Sequence, residues 1–164
     1  GGKKSDKEAA RWYRSAAEQG FVHAQFSLGT MIYRGEGTEK NAREAVRWFR
    51  LAAEQGDDDA QCRLGTMYQT GEGVEKNGKE AVRWYRSAAE QGHARAQFSL
   101  GCMHYDGEGV QKNDKEAVQY YRFAAEQGHV KAQFNLGTMF YNGEGVEKND
   151  KEAVRWYRSA AAQG

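Results

Sequence analysis

The sequence predicts an all-α solenoid of 36-residue helix-turn-helix repeats. Three observations carry that prediction. The ending Ala-Ala-(Glu/Ala)-Gln-Gly recurs, so that Gly20, Gly56, Gly92, Gly128 and Gly164 stand 36 residues apart. Apolar residues inside each repeat recur with helical spacing, and 16 of the chain's 20 glycines stand at four fixed positions of the four full repeats, while proline is absent. Self-similarity at such a period marks stacked supersecondary units, each burying its apolar face only against its neighbours.

The chain 1–164 reads as one solenoid domain. A half-repeat at 5–20 comes first, followed by four full repeats at 21–56, 57–92, 93–128 and 129–164. Eighteen of the 36 positions are identical in all four. Each repeat opens with a periodic segment, helix A, which in the first is Ala24-Gln25-Phe26-Ser27-Leu28-Gly29-Thr30-Met31. A Gly35-Glu36-Gly37 turn follows, and then a second periodic segment, helix B, Glu44-Ala45-Val46-Arg47-Trp48-Phe49-Arg50. Asn41, Asn77, Asn113 and Asn149 precede Glu44, Glu80, Glu116 and Glu152 by three residues, the capping-box spacing, and Ser5 and Glu8 take those places in the half-repeat. Helix B is therefore expected to start near 5, 41, 77, 113 and 149. It should end at the Gln-Gly pair, where glycine suits the left-handed C′ position.

On a helical wheel for helix B, Val46, Trp48, Phe49, Ala52 and Ala53 form an apolar arc opposite Arg43, Arg47, Arg50 and Glu54. Trp12, Trp48, Trp84, Tyr120 and Trp156 are accordingly expected in the core. In helix A, Ala24, Leu28, Met31 and Gly35 fall within roughly 40° of one another. The positions that vary between repeats lie opposite them. In a stack of helix pairs that variable surface would line the concave side, where solenoids bind ligands.

The candidate binding residues are then His23, Phe26, Thr30, Tyr33 and Arg34 in the first repeat, and Asp59, Cys62, Thr66, Gln69 and Thr70 in the second. The third supplies Arg95, Phe98, Cys102, Tyr105 and Asp106, and the fourth Lys131, Phe134, Thr138, Tyr141 and Asn142. Aromatics beside short hydrogen-bonding groups suit a peptide or a sugar. The phenylalanines have a competing role in packing one helix A against the next. The second repeat breaks the aromatic pattern and opens on Asp57-Asp58-Asp59, a place for a bulky or basic ligand side chain.

Composition narrows the partner class. Twenty-four basic and 23 acidic residues, mixed throughout, leave no basic stripe for nucleic acid or an anionic membrane. A mean hydropathy of −0.94 and the lack of a long apolar run argue against membrane insertion. Gly1-Gly2 resembles an expression scar ahead of which a leader could have been trimmed, so the compartment stays open. Cys62 and Cys102 occupy different repeat positions and read as thiols, which leans towards a reducing compartment.

The pattern Ala-Gln-x-x-Leu-Gly-x-Met-x-Tyr-x-Gly-Glu-Gly-Val-x-Lys-Asn-x-Lys-Glu-Ala-Val-x-Trp-Tyr-Arg-x-Ala-Ala-Glu-Gln-Gly, clearest in 129–164, resembles the Sel-1-like repeat, a relative of the tetratricopeptide repeat. The resemblance runs from the half-repeat onward. Gln69, Tyr120 and Ala162 depart from it mildly. It implies a right-handed α/α superhelical solenoid acting as a non-enzymatic scaffold or adaptor of bacterial origin, with a protein or peptide as partner. A cysteine-rich branch of the family is associated with β-lactam binding, but Cys62 and Cys102 do not reproduce its within-repeat pairs. A β-lactam-processing enzyme is thus disfavoured, while a glycan- or peptidoglycan-associated envelope scaffold is the alternative. An engineered array fits less well, given drift such as Ser5 for Asn and Tyr120 for Trp.

No catalytic residue, cofactor or metal is expected. The Gly-Glu-Gly segments lie between helices and recur four times, which favours a turn over a phosphate cradle. His23, His93 and His129 mark repeat boundaries on different layers, and Cys102 and His104 diverge by roughly 200° on a helix, so no set of ligands or Cys/His pair converges. The lone leading helix B and the ordinary last one suggest a fragment of a longer array, or end-to-end self-association covering the terminal faces.

Overall fold

Gly-x-Gly turns and Gln-Gly endings divide the chain into alternating helices, as their spacing demands. The computed structural model describes residues 2–163, and Gly1 and the closing Gly164 lie outside them. Among the described residues there are nine α-helices and no strand. The B helices are α1 (Gly2–Glu18), α3 (Ala42–Glu54), α5 (Gly78–Glu90), α7 (Asp114–Glu126) and α9 (Asp150–Ala161). The A helices are α2 (Val22–Arg34), α4 (Asp58–Thr70), α6 (Ala94–Asp106) and α8 (Val130–Asn142). The chain forms two compact halves, Gly1–Trp84 and Tyr85–Gly164, that divide within α5.

The asparagine caps form as the spacing predicts. Asn41 Oδ1 accepts from the Glu44 amide at 3.0 Å, Asn77 from Glu80 at 3.2 Å, Asn113 from Glu116 at 3.1 Å and Asn149 from Glu152 at 3.1 Å. Only half of the capping box is used. The asparagine amide donates to a helix-A carbonyl instead, Asn41 to Ile32 at 3.1 Å and Asn149 to Phe140 at 2.8 Å. This ties each helix B to the helix A before it.

Ser5 is not a cap. α1 begins at Gly2 and runs through Ser5, because Lys3-Lys4 takes the place of the turn that stops the other B helices. Trp12 is the second departure from expectation: Trp84 and Trp156 are buried and Trp48 and Tyr120 half-buried, but Trp12 is 78% exposed. No helix A precedes α1 among the described residues to cover it.

The invariant glycines make room for neighbours. At Gly29, Gly101 and Gly137 a Cβ would stand 2.9, 2.7 and 2.9 Å from the rings of Phe49, Tyr121 and Tyr157, so helix A approaches the helix-B aromatic at bare backbone. Gly37 and Gly145, at φ 67° and 66°, abut the backbone of Asp6 and Asp114 near the start of the preceding helix B. A side chain at either would force consecutive repeats apart.

The invariant glutamines form a buried ladder that the helical wheel did not reveal. Gln25 Nε2 donates to Ala17 O at 3.2 Å while its Oε1 accepts from Gln55 Nε2 at 2.8 Å. Gln133 repeats this with Ala125 O and Gln163 at 3.1 and 3.0 Å. Gln25, Gln97 and Gln133 thus each bond the preceding helix B and are held by their own, so both polar ends are satisfied although the side chains are buried.

Candidate functional site

Helix A is stopped by a left-handed glycine, at φ 74° for Gly35 and 73° for Gly107. Its last turn therefore ends beside the Gly-Glu-Gly segment, and the tyrosine two residues before that glycine reaches outward.

In the N-terminal half, the Tyr33 hydroxyl donates to Glu72 Oε2 at 2.8 Å, across 39 residues. Arg63 and Lys40 lie 5.6 and 5.8 Å from its ring centroid. The hydrogen bond to Glu72 raises the Tyr33 pKa above its ordinary value. Phe26 is half-buried and tilts against Phe49 at 5.7 Å. Thr30 and Thr70 donate their hydroxyls back to the helix carbonyls of Phe26 and Thr66 at 3.0 Å each. Thr66 does the same to Cys62 O at 3.1 Å. His23 and Asp59 are exposed, Arg34 is exposed with Glu36 at 3.6 Å, and Gln69 is half-buried. Cys62 is only 4% exposed, which corrects its placement on the binding surface: a compact apolar side chain there turns into the core, where the larger phenylalanines cannot fully follow. Asp57 also gains a structural role as N-cap of α4, accepting from Ala60 N at 2.7 Å, and burial raises its pKa.

The C-terminal half repeats the arrangement. Tyr105 donates to Glu144 Oε2 at 3.1 Å, which raises its pKa, and Lys112 Nζ lies 4.9 Å from its ring. Asn142 Nδ2 donates to the other oxygen of Glu144 at 3.1 Å. A recess of about 170 Å³ opens here, walled by Tyr105, Tyr121, Phe134, Asn135, Thr138 and Glu144. A more apolar recess of about 610 Å³ lies among Phe98, Val130, Phe134 and Tyr157, with Lys131 on its rim.

Phe98 is half-buried against Tyr121 and stacked on His129 at 4.6 Å, whereas Phe134 is 57% exposed. Phe26, Phe98 and Phe134 thus each tilt against the helix-B aromatic of their own repeat, and Phe98 also packs on the cap of the next helix A. Tyr141 is 55% exposed with Lys148 5.3 Å from its ring. Thr138 receives the Tyr157 hydroxyl at 3.1 Å, and Arg95, Asp106 and Lys131 are exposed. Cys102 is half-buried, accepts from the Tyr121 hydroxyl at 3.5 Å, and has its thiol pKa pushed up by burial, unlike an activated nucleophile.

Sequence reasoning missed Glu72, Glu144 and Asn135 on this face. The recurrence of the Gly-Glu-Gly segments points to a turn alone, yet one repeat plus three residues separates Glu72 and Glu144 from the tyrosines they hold. His93 and His129 cap α6 and α8, each Nδ1 accepting an amide at 3.2 Å. Among the described residues no group of three His, Cys, Asp or Glu could hold a metal ion, and no helix is long and apolar enough to cross a membrane.

The Sel1 repeat family model matches the chain five times, at residues 1–21, 22–57, 58–93, 94–129 and 130–164. No curated protein matches it. Among solved structures, c5321, a protective antigen of uropathogenic Escherichia coli displaying an SLR fold, is 39% identical with a TM-score of 0.95 over 96% of this chain and 34% of that one. A Sel1 repeat protein from Oxalobacter formigenes is 42% identical, TM-score 0.90, over 96% of this chain and 63% of its own. Cysteine rich protein B of Helicobacter pylori is 27% identical, TM-score 0.63, over 79% of this chain and 93% of its own. The chain thus spans about a third of the Escherichia coli antigen and under two thirds of the Oxalobacter protein. Helix order, invariant positions and fold agree: the chain belongs to the Sel1 repeat family.

Proposed function

We propose that this protein is a non-enzymatic adaptor that binds a peptide or protein segment along the variable face of its A helices. Sel1 repeats commonly mediate protein interactions, which sets the class. The observation that supports the site is the tyrosine–glutamate bond across repeats. Tyr33 and Tyr105 are each held by a carboxylate one repeat on, with lysine or arginine beside the ring. A fixed, half-exposed ring contributes contact area without losing much entropy on binding. Beside Tyr105, the 170 Å³ recess has space for a ligand side chain, and Asn135 offers an amide to a peptide backbone.

Selection of peptides from a random library against the whole chain tests this. Selected peptides should lose at least tenfold in affinity against a Tyr105→Ala, Tyr141→Ala double variant whose helical melt is nearly unchanged. Peptides that bind the double variant as tightly as the parent would sink the reading.

A further inference from the structure

Away from that face, one position sets the third repeat apart. Ile32, Tyr68 and Phe140 pack in the core at the place where α6 carries His104. His104 is 6% exposed and stacks on Tyr120 at 5.5 Å, and neither of its ring nitrogens has a hydrogen-bond partner among the described residues. It lies at the base of a recess of about 640 Å³ bounded by Arg86 and Glu90 of α5, Lys112, and Glu116 and Tyr120 of α7.

The other repeats differ at this place. Their equivalent arginines are engaged: Arg14 with Glu44 at 3.1 Å, Arg50 with the Tyr68 hydroxyl at 2.6 Å, and Arg122 over the Phe140 ring at 5.6 Å. Arg86 and Glu116, which correspond to Arg14 and Glu44, form no such bridge among the described residues. Two further departures meet here: Tyr120 replaces the larger tryptophan of the other repeats, and Gln111 replaces their glutamate.

We propose that this recess receives the cationic side chain, arginine or lysine, of a partner protein. Charge and hydrogen-bonding capacity both select that occupant. Glu90 and Glu116 make no ion pair, whereas Lys112 is committed to Asp114 at 3.7 Å and leans over Tyr105. Among the described residues that line the recess, Arg86 is then the one uncommitted cation against two uncommitted carboxylates. His104 is kept neutral by its burial, so one ring nitrogen accepts from a guanidinium or ammonium. The Tyr120 ring adds a cation–π face. The surface is distinct from the helix-A face and does not depend on it.

The test uses the whole chain at pH 7.5, with N-acetyl-arginine methylamide, N-acetyl-lysine methylamide and N-acetyl-glutamate methylamide as probes. NMR follows the His104 imidazole and Tyr120 ring resonances. The arginine and lysine probes should give saturable shifts that the glutamate probe does not. Glu116→Gln should raise the probe Kd at least fivefold, as should His104→Phe, read at Tyr120, with the fold checked by its helical melt. Lowering the pH to 5 should also release the probe. Equal shifts from the glutamate probe, no shift from any probe, or an unchanged Kd in a folded Glu116→Gln variant would overturn the proposal. None of these results bears on peptides selected at Tyr105 and Tyr141.

Discussion

The Tyr105 hydroxyl donates to Glu144 Oε2 at 3.1 Å, joining the last turn of one helix A to the Gly-Glu-Gly turn of the next repeat. Tyr33 and Glu72 do the same at 2.8 Å. The bond favours the neutral phenol, so the Tyr105 pKa is raised. A folded-state pKa above the unfolded value contributes stability below about pH 10, and that contribution is lost as the pH rises further. Glu144→Gln should therefore lower the Tyr105 midpoint towards the ordinary tyrosine value, read by the tyrosinate absorbance. The cost in stability at pH 7 should be small, about 0.5 kcal/mol, because both groups reach solvent.

Gly101 lies where α6 meets the Tyr121 ring, and an added Cβ would stand 2.7 Å from it. Alanine improves helix propensity by about 1 kcal/mol, but overpacking costs about 1–3 kcal/mol. The ring is buried in a cluster with Leu136, Ala124 and Met139, so it has little space to retreat. Gly101→Ala should lower stability by about 1–2 kcal/mol in urea denaturation. An equal or higher midpoint would show that the glycine is not required by packing.

How far the fold can be read from the residues follows from the same two positions. Periodicity and Asn–Glu spacing locate helix B because both are local properties of the chain, and Asn41 and Asn149 cap as expected. Gly101, Gln97 and Glu144 recur just as faithfully, yet their reasons lie in contacts between elements. A ring fills the space at Gly101, a second glutamine meets Gln97, and a tyrosine 39 residues earlier meets Glu144. A wheel drawn for one helix contains none of these. On the candidate site it does not resolve degrees of exposure, and Cys62, which it places on the outer side, is buried. Phe98 and Phe134 share one position, yet His129 stacks on the first while the second is exposed. Ser5 shows the limit of local reasoning: the cap chemistry is present, but the described residues before it, from Gly2 on, are already helical.

Gln133 makes a counterintuitive case. It is buried, and leucine would be more apolar and of similar size. Its amide nevertheless serves Ala125 O at 3.1 Å, and its carbonyl oxygen accepts from Gln163 at 3.0 Å. Replacing one partner leaves the buried Ala125 carbonyl without its side-chain donor, which costs about 1–3 kcal/mol. Gln133→Leu should thus destabilise by about 1–2 kcal/mol in urea, and Gln163→Ala, whose amide is exposed, by less. A Gln133→Leu variant more stable than the parent would remove the ladder from the account of the fold.

His104 gives the chain a pH dependence whose sign is fixed by burial. Desolvation lowers its pKa below the ordinary value of 6.5, offset in part by Glu116 and reinforced by Arg86. The unfolded chain then binds a proton more readily than the folded one, so stability falls as the pH drops below about 6.5 and goes on falling towards the folded-state pKa. Above 6.5 both states carry neutral imidazole and the effect vanishes. His104→Phe, which installs the residue found at Phe140, removes this titration and leaves the other histidines. Urea midpoints of parent and variant should run parallel from pH 8 to 7 and separate from pH 6.5 to 5, with the parent losing more. His129, also lowered by burial, titrates in both proteins and cancels in the comparison. Parallel curves down to pH 5 would show that the His104 ring reaches solvent when protonated, through the recess it lines, without disturbing the packing of α6 on α7.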